Sequence, residues 1–309
     1  MYSGFFGLSS APFSIAPNPD FLYLSPRHAE ALAHLRFGLG EAGGFVLLTG
    51  EVGTGKTTVS RCLLQELDER AEVAFILNPT LSELELLAAI CDELKIRYKK
   101  SDASLKLLGD KIKNRLLKNH AAGKHTLLII DEAQHLQPAV LEQLRLLTNL
   151  ETNTRKLLQV ILIGQPELQQ LLRRNDLRQL AQRITARYHL LPLSLDEVNH
   201  YLKFRLQVAG CSRPVFTAAA VKQLYQLSGG IPRLLNLIAD RALLSAYSQQ
   251  QAMVSDKQVR QAAEEILPLA ENTVRTRAIP LWFWPVLGLC AIVLGFSLAV
   301  VILPWLQNT

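Results

Sequence analysis

The first residues that could do chemistry form a phosphate cradle. Gly50-Glu51-Val52-Gly53-Thr54-Gly55-Lys56-Thr57 has the form G-x-x-x-x-G-K-[ST], and Thr58 follows it. Glycines at these places let the backbone fold into a nest of N–H donors, and a helix opening at Lys56 adds the positive end of its dipole. The spacing sets Lys56 against the β- and γ-phosphates of a nucleotide and offers the Thr57 hydroxyl to Mg²⁺. The expected ligand is therefore ATP with Mg²⁺, held along Gly50, Glu51, Val52, Gly53, Thr54, Gly55, Lys56, Thr57 and Thr58.

A second constellation lies farther on, where the apolar run Leu127-Leu128-Ile129-Ile130 ends in Asp131-Glu132. A buried strand that ends this way delivers both carboxylates to the C-terminal edge of a parallel sheet, where ligands bind. Asp131 is expected on the Mg²⁺, directly or through water, and Glu132 is expected to polarise the attacking water. Gln165 follows the apolar run Val160–Gly164 and is placed near the γ-phosphate or that water; a loop polar residue is the plainer alternative. Asn78 is placed to restrain Glu132, although an Asn before Pro79 also suits a turn.

Arginines crowd the stretch before the fifth apolar run, at Arg173, Arg174, Arg178, Arg183 and Arg187. A solvated helical face accounts for most of them. One, taken here as Arg183 with Arg178 and Arg187 as alternatives, is expected at the rim of the sheet, able to reach a neighbouring subunit's γ-phosphate. Arg233, in Gly229-Gly230-Ile231-Pro232-Arg233, opens a helix that Pro and the glycines explain, whereas the Arg suggests a reach toward the nucleotide.

These groups need a scaffold, and the periodicity supplies one. Short apolar runs at Phe45–Thr49, Val73–Leu77, Thr126–Ile130, Leu158–Gly164 and Tyr188–Leu191 alternate with helical patterns, including one over Leu168–Ala186. Strands alternating with helices predict an α/β fold with a five-stranded parallel sheet covered on both faces. After Pro192 the strands stop, and Ser194–Ala209, Thr217–Leu227, Pro232–Ser248 and Asp256–Ile266 all read as helices. The expected division is a P-loop ATPase domain over 1–191, an all-α lid over 192–270, a basic linker over 271–280 and a transmembrane helix over 281–306.

The last segment is read from charge. The chain has 309 residues, a formal charge of +6 and 19% charged residues, yet no Asp, Glu, Lys or Arg follows Arg277. Leu281–Leu303 is uncharged and flanked by Trp282, Trp284 and Trp305, with Arg275 and Arg277 before it. That predicts one membrane pass with the ATPase domain cytoplasmic. Gly288, Ala291, Gly295 and Ala299 would give this helix a small-residue stripe for close packing. Cys62, Cys91, Cys211 and Cys290 show no metal or disulfide spacing and fit a reducing compartment.

The acidic-ended strand, the polar residue after the fourth strand and the G-x-P-R helix together resemble AAA+ ATPases. Phe5-Phe6-Gly7-Leu8, Pro19-Asp20-Phe21-Leu22-Tyr23-Leu24-Ser25, the phosphate loop, Leu146-Leu147-Thr148-Asn149-Leu150-Glu151-Thr152 and Ile163-Gly164-Gln165-Pro166-Glu167-Leu168 resemble the general secretion pathway protein A (ExeA/GspA) family over about residues 1–270. The resemblance implies an AAA+ core with a helical lid and a homo-oligomer. It implies ATP hydrolysis to ADP and phosphate that drives assembly of a type II secretion or type IV pilus machine in the bacterial inner membrane. The family's functional residues carry onto Lys56, Thr57, Asp131, Glu132, Gln165 and Arg233, with the finger at Arg183. Secretion members continue into a large periplasmic domain; here few residues follow the expected membrane helix, so the expectation leans to the pilus type. Partners are then assembly proteins and no nucleic acid. The alternative is a DNA-handling AAA+ ATPase such as a transposition regulator, which shares the core.

Overall fold

The central apolar runs become strands because they can be buried on both faces, as parallel sheets require, whereas the two edge strands are only partly buried. In the structure, a computed structural model, the described residues are 2–16, 18–39, 44–77, 79–151 and 156–267, the side chain of Pro19 excepted. The strands are β1 Phe45–Gly50, β2 Ala71–Ile76, β3 His125–Ile130, β4 Gln159–Gly164 and β5 Ile184–Leu190. They form one sheet in the order β2-β3-β4-β1-β5, every pair parallel.

Helix α1 Ser3–Phe6 sets Phe5 edge-on to Tyr247, and α2 Pro26–Gly38, α3 Lys56–Glu66, α4 Glu83–Glu93, α5 Leu105–Ala121, α6 Pro138–Leu147, α7 Pro166–Leu172 and α8 Arg178–Ala181 accompany the sheet. One face of the sheet packs against α4 to α8 through residues such as Leu87, Ile112, Leu144, Leu168 and Leu180. The other packs against α2 and α3 through Leu35, Val59 and Leu63. Beyond β5 come α9 Leu195–Val208, α10 Ala218–Ser228, α11 Pro232–Ser248 and α12 Asp256–Ile266. Capping boxes open α4 and α9, with Ser82 paired to Glu85 and Ser194 to Glu197.

One expected helix is corrected. The Leu168–Ala186 pattern breaks into α7, a 3₁₀ turn at Asn175–Leu177 and α8, and strand β5 then begins at Ile184 rather than Tyr188. Asn175 and Asp176 are turn formers, and Arg174 is held in an ion pair with Asp176 at 2.9 Å. β-Branched Ile184 and Thr185 then find a strand partner, Ile184 lying opposite Phe45 of β1. Tertiary pairing overrides a local helical period.

The amino-terminal segment crosses α9 to α11 before entering α2. Buried Arg205 of α9 donates from Nε to the Pro12 carbonyl at 2.5 Å, from Nη2 to Ser14 O at 2.9 Å and from Nη1 to Phe21 O at 3.3 Å. Tyr2 donates to Asp240 of α11, and Phe13 meets Phe216 edge-on with ring centroids 5.8 Å apart.

By backbone proximity Met1–Ala262 form one unit and Ala263–Thr309 another, of which Ala263–Leu267 are described. The expected linker, the membrane segment 281–306 and its small-residue stripe lie outside the described residues. Among the described residues no helix is long and apolar enough to cross a membrane. Cys62, Cys91 and Cys211 are free and buried.

Candidate functional site

Strand order brings the site together. β1 lies beside β4, and β4 beside β3, so the C-terminal ends of all three meet at one edge. The phosphate loop leaves β1, Gln165 leaves β4 and Asp131-Glu132 leave β3. Two loop glycines are obligatory. Gly53 has φ +83° and a Cβ there would lie 2.6 Å from the Cβ of Arg233; Gly55 has φ +104° and its Cβ would meet the His28 Nε2 at 2.5 Å.

Lys56 is buried and curls over the loop, donating to the carbonyls of Gly50 at 2.8 Å and Glu51 at 3.0 Å. Burial pushes its ammonium below the usual lysine range, against the opposing pull of Glu132, Asp131 and Glu51. The Thr57 hydroxyl donates to Asp131 Oδ2 at 3.0 Å. Neighbouring oxygens on an octahedron with bonds near 2.1 Å lie about 3.0 Å apart, so this hard-oxygen pair fits Mg²⁺. Burial raises the Asp131 carboxyl above its usual value even though Glu132 N–H and Thr57 donate to it.

Glu132 has φ +52°, a left-handed backbone that a non-glycine residue rarely adopts. Its Oε2 accepts from Gln134 Nε2 at 2.6 Å and from Gln165 Nε2 at 3.2 Å. Burial alone would raise this carboxyl; the two amides, with Lys56 and His135, outweigh it and hold the group below the usual carboxylate range. Gln165 and Glu132 are both legible in the sequence as strand-end polar residues, whereas Gln134 is not. Its one signal is its place two residues after Glu132. Asn78 lies outside the described residues.

Beside the loop opens a cavity of about 490 Å³, walled by the amino-terminal segment (Ile15, Tyr23), the loop and the start of α11. Arg233 N–H donates to Gly53 O at 3.3 Å, so the first turn of α11 touches the phosphate loop. Just before α11, Gly230 packs against Leu193: at φ +75° it leaves no space for a Cβ, which would lie 2.0 Å from Leu193 O. Arg183 stands at the opposite, N-terminal edge of β5, where Nη1 donates to Arg145 O at 3.1 Å. It is thus remote from this chain's own phosphate loop.

His28 braces the loop from α2. Its Nε2 is 3.0 Å from Thr54 O, which can only accept, so Nε2 carries a proton; Nδ1 lies 2.7 Å from Ser25 Oγ, a hydroxyl that can donate to it. Burial disfavours the imidazolium form of this ring. Burial lowers its pKa, outweighing the contrary effects of the Thr54 carbonyl and Glu197. The unfolded chain then binds a proton more readily than the folded one, so stability is present above the ordinary imidazole pKa and is lost as pH falls through the lowered folded value. The thermal midpoint of the wild type is expected to fall between about pH 7 and pH 5. His28→Gln, which keeps a donor for Thr54, is expected to flatten that slope; an unchanged slope in differential scanning calorimetry would refute it.

The fold and the site define an ATP-hydrolysing P-loop NTPase of the AAA type. Residues 40–172 match the family model described as an AAA domain. The chain is similar to General secretion pathway protein A of Aeromonas hydrophila, 65% identical over 266 residues, covering 86% of this chain and 48% of that protein. It thus spans about half the length of the curated relative it matches. Among solved structures, Cdc6p from Pyrobaculum aerophilum superposes with TM-score 0.68 at 18% identity, over 85% of this chain and 73% of that one. Aeropyrum pernix ORC1 in complex with DNA follows at TM-score 0.62 and 19% identity, over 82% and 69% of the two chains. At that identity the likeness is one of fold alone.

Proposed function

We propose that this chain is an inner-membrane-anchored AAA+ ATPase whose hydrolysis of ATP drives assembly of a type II secretion or type IV, MSHA-like, pilus machine. The observation that carries it is the 65% identity to General secretion pathway protein A over a span that includes the entire nucleotide site. Within that reading the quoted motifs are most like those of MshM, the ATPase of MSHA pilus biogenesis. The uncharged run Leu281–Leu303 supports one membrane pass. We divide the chain into an ATPase domain over 1–191, a lid over 192–270, a linker over 271–280 and a membrane helix over 281–306. The end of the sheet at Leu190 and the helices beyond it support the first boundary.

In this reading Gly50–Thr58 wrap the phosphates with main-chain N–H groups and Lys56 swings from its two carbonyls onto the β- and γ-oxygens. Thr57 and Asp131 would hold Mg²⁺, which would supply neutralising charge for those oxygens. Glu132 orients water for attack, Gln165 senses the γ-phosphate and Arg233 closes from the lid. Arg183, unable to reach its own loop, serves the neighbouring copy. Two results test the proposal. Cross-linking of the detergent-solubilised chain, followed by mass spectrometry, is expected to recover copies of itself together with pilus- or secretion-assembly proteins. Turnover is expected to rise with protein concentration, and Arg183→Ala to abolish that rise without loss of ATP affinity. Recovery of a transposase, or full activity of a dilute monomer, would overturn it.

A further inference from the structure

Gln134 joins the two polar groups on which hydrolysis depends, and neither the phosphate loop nor the acidic strand end assigns it a role. Ala133–His135 form one 3₁₀ turn directly after Glu132. The left-handed backbone of Glu132 starts that turn and folds Gln134 back beside its own neighbour. Both ends of the Gln134 amide are used. Nε2 donates to Glu132 Oε2 at 2.6 Å, and Oε1 accepts the main-chain N–H of Gln165 at 3.1 Å. Gln165 Nε2 closes the ring by donating to the same Glu132 oxygen at 3.2 Å. The strand is bare where the amide crosses it: a Cβ on Gly164 would lie 2.7 Å from Gln134 Oε1 and 2.9 Å from Leu168 Cδ2.

Both bonds fall on Oε2, and Oε1 of Glu132 accepts from no described residue. A carboxylate pinned at one oxygen keeps a fixed orientation and offers the other oxygen to a water in a defined place, which is how a positioned base gains its effectiveness. We propose that Gln134 is a positioning residue for ATP hydrolysis: it pins Glu132 by Oε2, leaves Oε1 for the attacking water, and ties that carboxylate to Gln165 so that the two move as one unit. The left-handed Glu132 backbone fits this role, since such a conformation persists where its surroundings over-determine it. The inference rests on Glu132 being the water-orienting group.

The test uses the full chain. Gln134→Ala is expected to bind a fluorescent ATP analogue within about twofold of wild type and to lose about 10–100-fold in kcat, the usual weight of a group that orients another. Gln134→Glu, of equal length but without the donor, should lose at least as much. In a Glu132→Gln background Gln134→Ala should cost nothing further, because its route to the reaction is already gone. Independently of turnover, the Gln165 main-chain amide should exchange faster with solvent in Gln134→Ala. Wild-type kcat in Gln134→Ala, or an equal added loss on top of Glu132→Gln, overturns the proposal. Full turnover in Glu132→Gln alone would instead remove the reading of the site on which it stands.

Discussion

Glu132→Gln is expected to bind ATP about as tightly as the wild type and to lose roughly 10²–10⁴-fold in kcat, the range spanned by removal of a positioned general base. The separation follows from the geometry. In the proposed reading affinity comes from the phosphate loop, Lys56 and the Thr57–Asp131 pair, whose oxygens stand 3.0 Å apart, and the Glu132 side chain hydrogen-bonds to Gln134 and Gln165 instead. The new amide can still accept from Gln134 and Gln165 through its oxygen, so the turn that follows should hold its shape. What it lacks is a second acceptor oxygen able to take a proton from water. Phosphate release under saturating ATP measures the loss, and titration with a fluorescent nucleotide measures the affinity. If binding falls together with turnover, Glu132 belongs to the binding apparatus and the division of roles is wrong.

Lys56→Ala acts at the other end of the site. Nζ lies within 3.0 Å of the carbonyls of Gly50 and Glu51, folded into the loop that would receive the β- and γ-phosphates. Removing it deletes the one ammonium among the described residues that line the cavity and leaves the phosphates to the backbone nest and the cavity's guanidinium groups. A charge-assisted hydrogen bond contributes about 1.5–3 kcal/mol, and this lysine would make more than one. A fall in ATP affinity of at least about 10²-fold is therefore expected, since each 1.4 kcal/mol is tenfold. The ligand-free protein should stay folded, because burying the ammonium is itself costly and its loss removes that burden along with two hydrogen bonds. Calorimetry on the free protein keeps the two effects apart. Unaltered affinity in a folded Lys56→Ala would show that the loop does not receive phosphate as described.

Much of this site can be read from residue types in order. The phosphate loop is a local object: its glycines, Lys56 and Thr57 lie within one turn between a strand and a helix, and local geometry needs no distant partner to be specified. Asp131 and Glu132 are legible for a related reason, since an apolar run that ends abruptly in two carboxylates can place them only at a strand end. The central strands follow because a parallel strand covered on both sides must be apolar on both faces. The charge-free run Leu281–Leu303 is a property of composition alone.

What tertiary structure decided are the contacts made between elements far apart in the chain. The break of the Leu168–Ala186 pattern into two short helices and the start of β5 depend on β1 offering Ile184 a partner, which no local period reveals. His28 touches Thr54 only because α2 packs on the same face of the sheet as α3. The three carbonyls gathered by Arg205 come from the amino-terminal segment, more than 180 residues away along the chain. The link from Gln134 to Gln165 needs β3 and β4 side by side, an order set by the topology of the whole sheet. Residue types and spacing determined which chemical groups this protein carries and which of them lie at strand ends. Strand order and helix packing decided which groups meet, because hydrogen bonds require atoms about 3 Å apart and only the closed fold brings residues distant in sequence to that separation.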